Sequence, residues 1–312
     1  MFTQALILIL GLTLLCVGSS LLVEGAASTA VMLAVRPVIV GLTIVSFATS
    51  APELLVSLVA AVKGSGGISL GNILGSNVIN IALVLGISAV IKPVTIKDQI
   101  IKIEIPYMIL ISCIFWFLSM DSYIGQTDGI ILIILLIVFL LYGVITAKDK
   151  NGDTGHVKLS FSRISKNILF IILGIIMLAY GANFVVQEAI IIARNIGLSQ
   201  TFIGISVVAL GTSLPELATS AVAAARGESD ISVGNVVGSN LFNICLVMGV
   251  VGIFNPMPVD NNLHYFQFPF MICICFFLGV VAFVNRSIGK RNGYILIVLF
   301  FVYILISYIN SF

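Results

Sequence analysis

Charged side chains are scarce in this chain. Asp, Glu, Lys and Arg together make up 9% of the 312 residues, whereas ordinary soluble domains carry about a quarter. Hydrophobic residues reach 60%, and the mean hydropathy is +1.21. A soluble core of this length could not bury so much apolar surface, so the sequence predicts an all-α polytopic protein that lies in a lipid bilayer. The net charge of +2 is too small to suggest a nucleic-acid partner.

Residues typical of soft-metal sites and of covalent catalysis are also few. The two histidines, His156 and His264, fall in predicted loops, and the five cysteines lie in apolar segments without metal-site spacing. No nucleophile–base set or cofactor motif is present, which argues against an enzyme and against a bound cofactor, and no feature indicates an obligatory protein partner. The first residues, MFTQALILILGLTLLC, lack a basic n-region and a cleavage pattern, and they predict a spanning helix rather than a removed signal peptide.

Long apolar segments are abundant, and ten of them are long enough to cross a bilayer. They lie near 4–31, 38–62, 69–90, 104–119, 128–146, 167–192, 200–225, 231–253, 265–284 and 293–311. Of the 15 Lys and Arg residues, 13 fall in the connections after segments one, three, five, seven and nine, and only Lys63 and Arg194 fall on the other side. The positive-inside rule then predicts a multi-pass protein of the cell membrane with both termini outside.

A duplicated stretch organises the sequence. Residues 41–86 (GLTIVSFATSAPELLVSLVAAVKGSGGISLGNILGSNVINIALVLG) return at 204–249 with 24 of 46 positions identical, without a gap, at an offset of 163. Pro106 and Pro269 extend the same offset, so each half, 1–147 and 167–312, holds five predicted helices joined by the polar linker 148–166. Because five is odd, the second half crosses in the opposite direction, and such inverted repeats are typical of secondary transporters. A duplicated scaffold without transport is the alternative, but the repeated residues are polar rather than packing residues.

Each copy places one carboxylate well inside an apolar segment. Glu53 and Glu216 correspond at the offset, and no Lys or Arg lies in the interior of a predicted helix to pair with them. A lone ionised carboxylate at membrane depth costs on the order of a few kcal/mol and is a functional-site candidate. Symmetry would bring the pair together near the midplane, where they repel unless a cation or a proton lies between them. A permanently protonated, hydrogen-bonded pair is the alternative, and it does not explain the oxygens around it.

Oxygen-bearing side chains surround each carboxylate in both copies. A proline one residue before each Glu removes a backbone donor and predicts a helix break, which a membrane tolerates only where the break is buried in protein or lines a cavity. The motif GNxxGSN on the next segment permits close helix approach. The candidate side chains are Thr49, Ser50, Ser76 and Asn80 in the first copy and Thr212, Ser213, Ser239 and Asn243 in the second. Such hard oxygen ligands suit Ca²⁺ and Na⁺ and disfavour zinc or copper.

The pairs GTSLPEL with SVGNVVGSNLFNI, and ATSAPEL with SLGNILGSNVINI, resemble the two α-repeats of the Ca²⁺/cation antiporter superfamily. The resemblance is closest to the prokaryotic form of the sodium/calcium exchanger branch and covers the whole chain. It implies ten helices in two inverted five-helix halves, with broken helices 2, 3, 7 and 8 forming the ion site. It also implies exchange of Ca²⁺ for Na⁺ by sliding of a two-helix gate past an eight-helix core, so that both ions are substrates.

The resemblance further implies roles for single residues. Glu53 and Glu216 would bind Ca²⁺ together with the carbonyls of Thr49 and Thr212. One flanking Na⁺ site would comprise Ser46, Thr49, Ser50 and Ser76, the other Ala209, Thr212, Ser213 and Ser239, and Asn80 and Asn243 would take central positions. Asn72, Asn77, Asn235 and Asn240 are weaker candidates, because hydrogen bonds between helices would also explain them. Some relatives, including potassium-dependent exchangers, have Asp where this chain has Asn243, which argues against potassium dependence.

Two other functions stay open from the sequence. Carboxylates also bind protons, so H⁺/Ca²⁺ exchange is the nearest alternative. A cation channel is the alternative from another class, although a central chelating site suits occlusion better than rapid passage.

Overall fold

The computed structural model describes residues 2–33, 35–146, 161–195, 209–260 and 263–309. Over these residues the chain is helical, apart from four strands of two residues each. The helices are α1 (Phe2–Met32), α2 (Pro37–Thr49), α3 (Ala51–Val62), α4 (Gly66–Ile91), α5 (Ile100–Asp121), α6 (Gln126–Ile145), α7 (Phe161–Asn195), α8 (Ala209–Thr212), α9 (Leu214–Arg226), α10 (Ser229–Phe254), α11 (Leu263–Asn285) and α12 (Lys290–Ile309). The strands are β1 (Val94–Thr95), β2 (Tyr123–Ile124), β3 (Met257–Pro258) and β4 (Ser287–Ile288).

Within the described residues, eight helices are individually long and apolar enough to cross a membrane. The bent pair α2–α3 counts as a ninth when it is taken as one span. The predicted segment near 200–225 is represented by α8 and α9, and its first residues, 200–208, lie outside the described part, as do residues 148–160 of the predicted linker. The all-helical membrane architecture agrees with the apolar runs of the sequence.

Helices α4 and α10 are continuous, which corrects the expectation that segments three and eight are broken. Each runs for 26 residues and contains a π-helical turn, at Asn80–Leu85 in α4 and at Phe242–Met248 in α10. Neither helix contains proline, so every backbone N–H within it remains available as a donor. In α10, Gly234 and Gly238 of the motif serve helix packing, since a Cβ on either would lie 2.8 Å from a backbone atom of α2. The π-helical turns are of a kind that often occurs at functional sites.

The same two helices form the centre of the molecule. In their most apolar windows, 89% of α4 and 83% of α10 is buried, compared with 22% for α6 and α12. Helix α10 packs directly on α2 of the first half: a Cβ on Gly41 would lie 3.2 Å from the Gly234 Cα, and one on Gly238 would lie 2.8 Å from the Leu42 Cα. Elements of the two halves are therefore interleaved where the repeated motif lies.

Glycines also allow α1 and α7 to touch along their backbones. A Cβ on Gly18 would lie 3.0 Å from the carbonyl oxygen of Gly174, and one on Gly174 would lie 2.8 Å from that of Gly18. Gly11 and Gly181 approach each other in the same way. Small residues that permit backbone contact are typical of helix interfaces in membranes. At the repeat offset of 163, Gly11 corresponds to Gly174 and Gly18 to Gly181, so each glycine contacts the copy of the other.

The four short strands form two antiparallel pairs, and each pair joins two connections between helices. Strand β1, after α4, pairs antiparallel with β4, after α11, whereas β2, after α5, pairs with β3, after α10. Ion pairs join Lys97 to Asp230 at 2.6 Å and Arg286 to Asp98 at 2.9 Å at the β1–β4 end. The connections after predicted segments three, seven and nine thus meet each other, as alternating crossings require.

Candidate functional site

The chain breaks at the same point in both copies of the motif. Ser50 and Ser213 leave helical geometry with φ/ψ of −81°/1° and −85°/4°, and α2 and α3 are bent by 43° across Ser50. Pro52 and Pro215 lie in the first turn of the following helices, where no intrahelical donor is needed. Glu53 and Glu216 therefore lie in the first turn of α3 and α9, where the helix dipole favours a negative charge.

The two carboxylates are fully buried and are held by the opposite half of the chain. Ser50 Oγ donates to Glu216 Oε1, and Ser213 Oγ donates to Glu53 Oε1, both at 3.4 Å. Both glutamates have an exposed fraction of 0%. Among the described residues, the second carboxylate oxygen of each, Oε2, has no hydrogen-bond partner, and no ion pair reaches either group.

Thr49 lies between two side chains of α10. Its hydroxyl donates to Asn235 Oδ1 at 3.1 Å and lies 3.3 Å from Ser239 Oγ. In the other half, the hydroxyl of Thr212 lies 3.4 Å from Asn72 Oδ1 on α4. Each threonine at a helix break is therefore attached to the opposite half of the chain.

Asn80 and Asn243 use their amide donors on the opposite half and keep their carbonyl oxygens free. Asn80 Nδ2 donates to Asn240 Oδ1 and Asn243 Nδ2 donates to Asn77 Oδ1, each at 3.1 Å. The Oδ1 atoms of Asn80 and Asn243 are buried and have no hydrogen-bond partner among the described residues. This leaves two further acceptors of the kind that hard cations prefer.

The contact of one motif serine differs from the grouping that the resemblance implies. Ser239, which the resemblance assigned to the set of Ala209, lies instead against Thr49. Ser76, which it assigned to the set of Thr49, follows Gly75, whose Cβ position is 3.8 Å from the Cβ of Ala209. The reason is that α10 of the second half packs on α2 of the first, which brings Ser239 of the second copy to the hydroxyl of Thr49 in the first.

Ser46 and Ala209 occupy equivalent positions but differ in their contacts. The Ser46 hydroxyl donates to the carbonyl of Gly41 at 2.6 Å and lies 3.1 Å from the carbonyl of Asn235. Ala209 has no hydroxyl, so its backbone carbonyl is the only oxygen that it can offer a cation. The two flanking clusters are therefore similar but not identical.

An excess of acceptors distinguishes this region chemically. The buried oxygens without a hydrogen-bond partner among the described residues include Glu53 Oε2, Glu216 Oε2, Asn80 Oδ1, Asn243 Oδ1 and Ser76 Oγ. Buried polar atoms in proteins almost always have a partner. Carboxylates, amide oxygens and hydroxyls are the kinds of oxygen ligand that Ca²⁺ and Na⁺ prefer, and Ca²⁺ takes about six to eight of them.

Four asparagines make hydrogen bonds between helices, as the sequence interpretation allowed. Asn72, Asn77, Asn235 and Asn240 all hydrogen-bond to residues of the candidate site. The signal was present, because both copies carry the same asparagines at the same spacing. Ser57 and Ser220, which bind Asn72 and Asn235, were not singled out at all.

The chain matches a known family model along nearly its whole length. The model described as "Sodium/calcium exchanger protein" matches residues 3–144 and 166–309, which include both copies of the motif.

Individual proteins from bacteria and archaea are similar over the same extent. The chain is 31% identical to "Inner membrane protein YrbG" of Escherichia coli over 301 residues, covering 94% of this chain and 92% of that protein. It is 29% identical to "Sodium/calcium exchanger MaX1" of Methanosarcina acetivorans over 345 residues, covering 97% and 98%. A solved structure of the sodium-calcium exchanger NCX_Mj, soaked with Na⁺ and Ca²⁺, superposes with a TM-score of 0.85 at 31% identity and covers 97% of this chain and 98% of that one.

Proposed function

The chain belongs to the sodium/calcium exchanger protein family, and on that basis we propose that it is a secondary antiporter that exchanges Ca²⁺ for Na⁺. The observation that carries the proposal is the mirrored pair Glu53 and Glu216, fully buried, each with one oxygen unpartnered among the described residues. A charge of −2 is balanced by one Ca²⁺ or by monovalent ions in its place. Mutually exclusive occupancy of one carboxylate pair is the condition for coupled exchange.

The ion ligands that we propose come from both halves. Glu53 and Glu216 bind Ca²⁺ with the backbone carbonyls of Thr49 and Thr212, and Asn80 and Asn243 complete the centre. Two Na⁺ positions flank it, and the contact of Thr49 with Ser239 supports the division of their members that we propose. One comprises Ser46, Thr49, Ser50 and Ser239, and the other comprises Ala209, Thr212, Ser213 and Ser76. Ca²⁺ and Na⁺ are substrates of this site rather than cofactors.

Transport requires that the site open to one side of the membrane at a time. We propose ten crossings in two inverted halves, 1–147 and 167–312, with residues 148–166 as the linker. Reciprocal hydrogen bonds support this arrangement, since Ser50–Glu216 and Ser213–Glu53 are equivalent at the repeat offset. The β1–β4 end carries basic residues such as Lys97 and Arg286, which supports a cytoplasmic position for it and termini on the outer face of the cell membrane.

The proposal is tested in proteoliposomes that contain the purified full chain. Ca²⁺ uptake should appear when an outward Na⁺ gradient is imposed and should disappear in Glu53→Gln and Glu216→Gln. Glu24→Gln is a matched control, because Glu24 is half-exposed on α1 and pairs with Lys166 at 3.6 Å. Uptake that ignores the Na⁺ gradient would overturn Na⁺ coupling.

Exchange of Ca²⁺ for H⁺ is the second candidate, and the same buried carboxylates favour it because they also bind protons. A pH gradient imposed without Na⁺ separates the two. Uptake driven by the pH gradient alone supports H⁺ coupling, and uptake driven only by Na⁺ excludes it.

A further inference from the structure

Asn235 joins three helices beside the carboxylates. It lies on α10 with an exposed fraction of 0%. Its Oδ1 accepts from the hydroxyl of Thr49, at the end of α2, at 3.1 Å. Its Nδ2 donates to Ser220 Oγ, on α9, at 2.9 Å. Because the donor side of the amide is engaged by Ser220, the acceptor side is fixed toward Thr49.

Asn72, in the first copy of the motif, makes contacts equivalent to those of Asn235. It lies on α4 with an exposed fraction of 6%. Its Oδ1 lies 3.4 Å from the Thr212 hydroxyl and its Nδ2 donates to Ser57 Oγ, on α3, at 3.1 Å. All three residues correspond to those around Asn235 at the offset of 163. Both copies therefore keep an oriented amide acceptor beside the threonine of the opposite half.

The threonine hydroxyl has one proton and more than one acceptor. The hydroxyl of Thr212 lies 3.1 Å from the carbonyl of Ala209 and 3.4 Å from Asn72 Oδ1. A cation bound to the Ala209 carbonyl and Glu53 would occupy their lone pairs and repel the proton. Asn72 Oδ1 is then the remaining acceptor, and a proton turned toward it leaves a lone pair of the Thr212 oxygen for the cation.

We propose that Asn72 and Asn235 are positioning residues of the cation site: each accepts the threonine hydroxyl proton of the opposite half, which fastens the broken helix to that half and so holds the threonine carbonyl in place for Ca²⁺, while a lone pair of the hydroxyl oxygen stays available to a flanking cation. The inference rests on the proposed function only in taking the carboxylate pair as a cation site. It does not depend on which monovalent ion drives transport.

The first comparison uses two replacements at one position. Asn72→Asp keeps an oxygen acceptor for Thr212, whereas Asn72→Leu removes the acceptor at a similar volume. Purified full-length chain in detergent is titrated with Ca²⁺ alone, and the rise in unfolding temperature gives the half-maximal concentration. We expect Asn72→Leu to raise the half-maximal Ca²⁺ concentration about five-fold, which corresponds to the loss of one hydrogen bond. Asn72→Asp should raise it less. If Asn72 serves only packing, Asp should instead raise the half-maximal Ca²⁺ concentration more than Leu does, because a further buried charge is costly in a membrane.

Because Asn72→Asp also adds a charge, a double-mutant cycle that uses only uncharged replacements provides a second test. Thr212→Val deletes the hydroxyl but keeps the backbone carbonyl. If Asn72 acts through that hydroxyl, the double variant should bind Ca²⁺ no more weakly than the weaker single variant. Additive effects, about 25-fold for two losses of about five-fold each, would overturn the proposal. The crossed pair Asn72→Leu with Thr49→Val is the matched control and should be additive.

If Asn72→Leu does not yield folded protein, the corresponding residues of the other copy provide the same test. Asn235→Leu combined with Thr49→Val should be non-additive for the same reason. The titration uses Ca²⁺ alone and measures no transport. Absence of Na⁺-driven uptake would therefore count against the proposed function, and additive cycles would count against the role of the two asparagines.

Discussion

The side chains of Asn77 and Asn240 each hydrogen-bond to the backbone of the other residue. The side-chain amide of Asn77 donates to the carbonyl of Asn240 at 3.5 Å, and that of Asn240 donates to the carbonyl of Asn77 at 3.3 Å. These residues are copies of one another, and a residue contacts its own copy only near the axis that relates the two halves. Asn80 and Asn243 attach to this pair through their amides, so the candidate site lies around that axis.

Removal of both buried carboxylates should stabilise the protein in the absence of ions. In Glu53→Gln/Glu216→Gln, the repulsion and the desolvated charges are lost. We expect a higher unfolding temperature than wild type in chelator without Na⁺, and no further rise with Ca²⁺. Wild type should gain about 2.7 kcal/mol at 100 times the dissociation constant. Thermal unfolding with and without Ca²⁺ measures both effects, and a preserved Ca²⁺ response in the double variant would contradict the site.

A third carboxylate at the centre should bind Ca²⁺ more tightly and release it more slowly. Asn243→Asp places negative charge beside the carboxylates and loses the donor to Asn77 Oδ1. We expect a lower half-saturating Ca²⁺ concentration together with a lower maximal rate of ⁴⁵Ca²⁺ uptake. Asn80→Asp should change both quantities in the same direction, because its contact with Asn240 is equivalent. Unchanged affinity in both variants would remove these residues from the centre.

Loss of the Ser46 hydroxyl should loosen α2 from α10. Ser46→Ala removes the bond to Gly41 at 2.6 Å and the contact with the Asn235 carbonyl at 3.1 Å, at a cost of about 1 kcal/mol. Faster amide hydrogen exchange in residues 37–49 is the expected result. Ser88→Ala is the control, since it deletes a buried hydroxyl bond of 2.7 Å within α4. Equal exchange of residues 37–49 in the two variants would argue that Ser46 does not fasten the helices.

A methyl group at Gly238 should separate the same two helices. Its Cβ would lie 2.8 Å from both the Cα and the carbonyl oxygen of Leu42, which are backbone atoms that cannot turn aside. We expect Gly238→Ala to lower the unfolding temperature and to abolish exchange. Gly143→Ala serves as control, because the nearest described atom is the end of the Ile39 side chain at 3.9 Å. Full activity of Gly238→Ala would show that the contact is not required.

Much of this architecture follows from the sequence because lipid imposes strict costs. Apolar runs predicted the spans, and an intramembrane charge is expensive enough to single out Glu53 and Glu216. The offset of 163 predicted which residues correspond. It could not predict which residues touch, because correspondence does not specify how the halves pack.

Ser239 illustrates that limit. The resemblance implied a place in the set of Ala209, but the close approach of α10 to α2 places it beside Thr49. The resemblance likewise implied breaks in segments three and eight, whereas α4 and α10 are continuous, contain no proline and are largely buried. Contacts of this kind depend on the assembled structure and leave no local signal.

The bond between Ser213 and Glu53 has a consequence for synthesis of the chain. The two residues are 160 positions apart, and translation proceeds at about 5 to 20 residues per second, so Ser213 follows Glu53 by about 8 to 30 s. During that interval the first half enters the bilayer with its carboxylate and without the serine that will hold it. The nascent chain must keep Glu53 neutral or shielded until the second half arrives, which makes membrane insertion of the first half a step that depends on protons or on the insertion machinery.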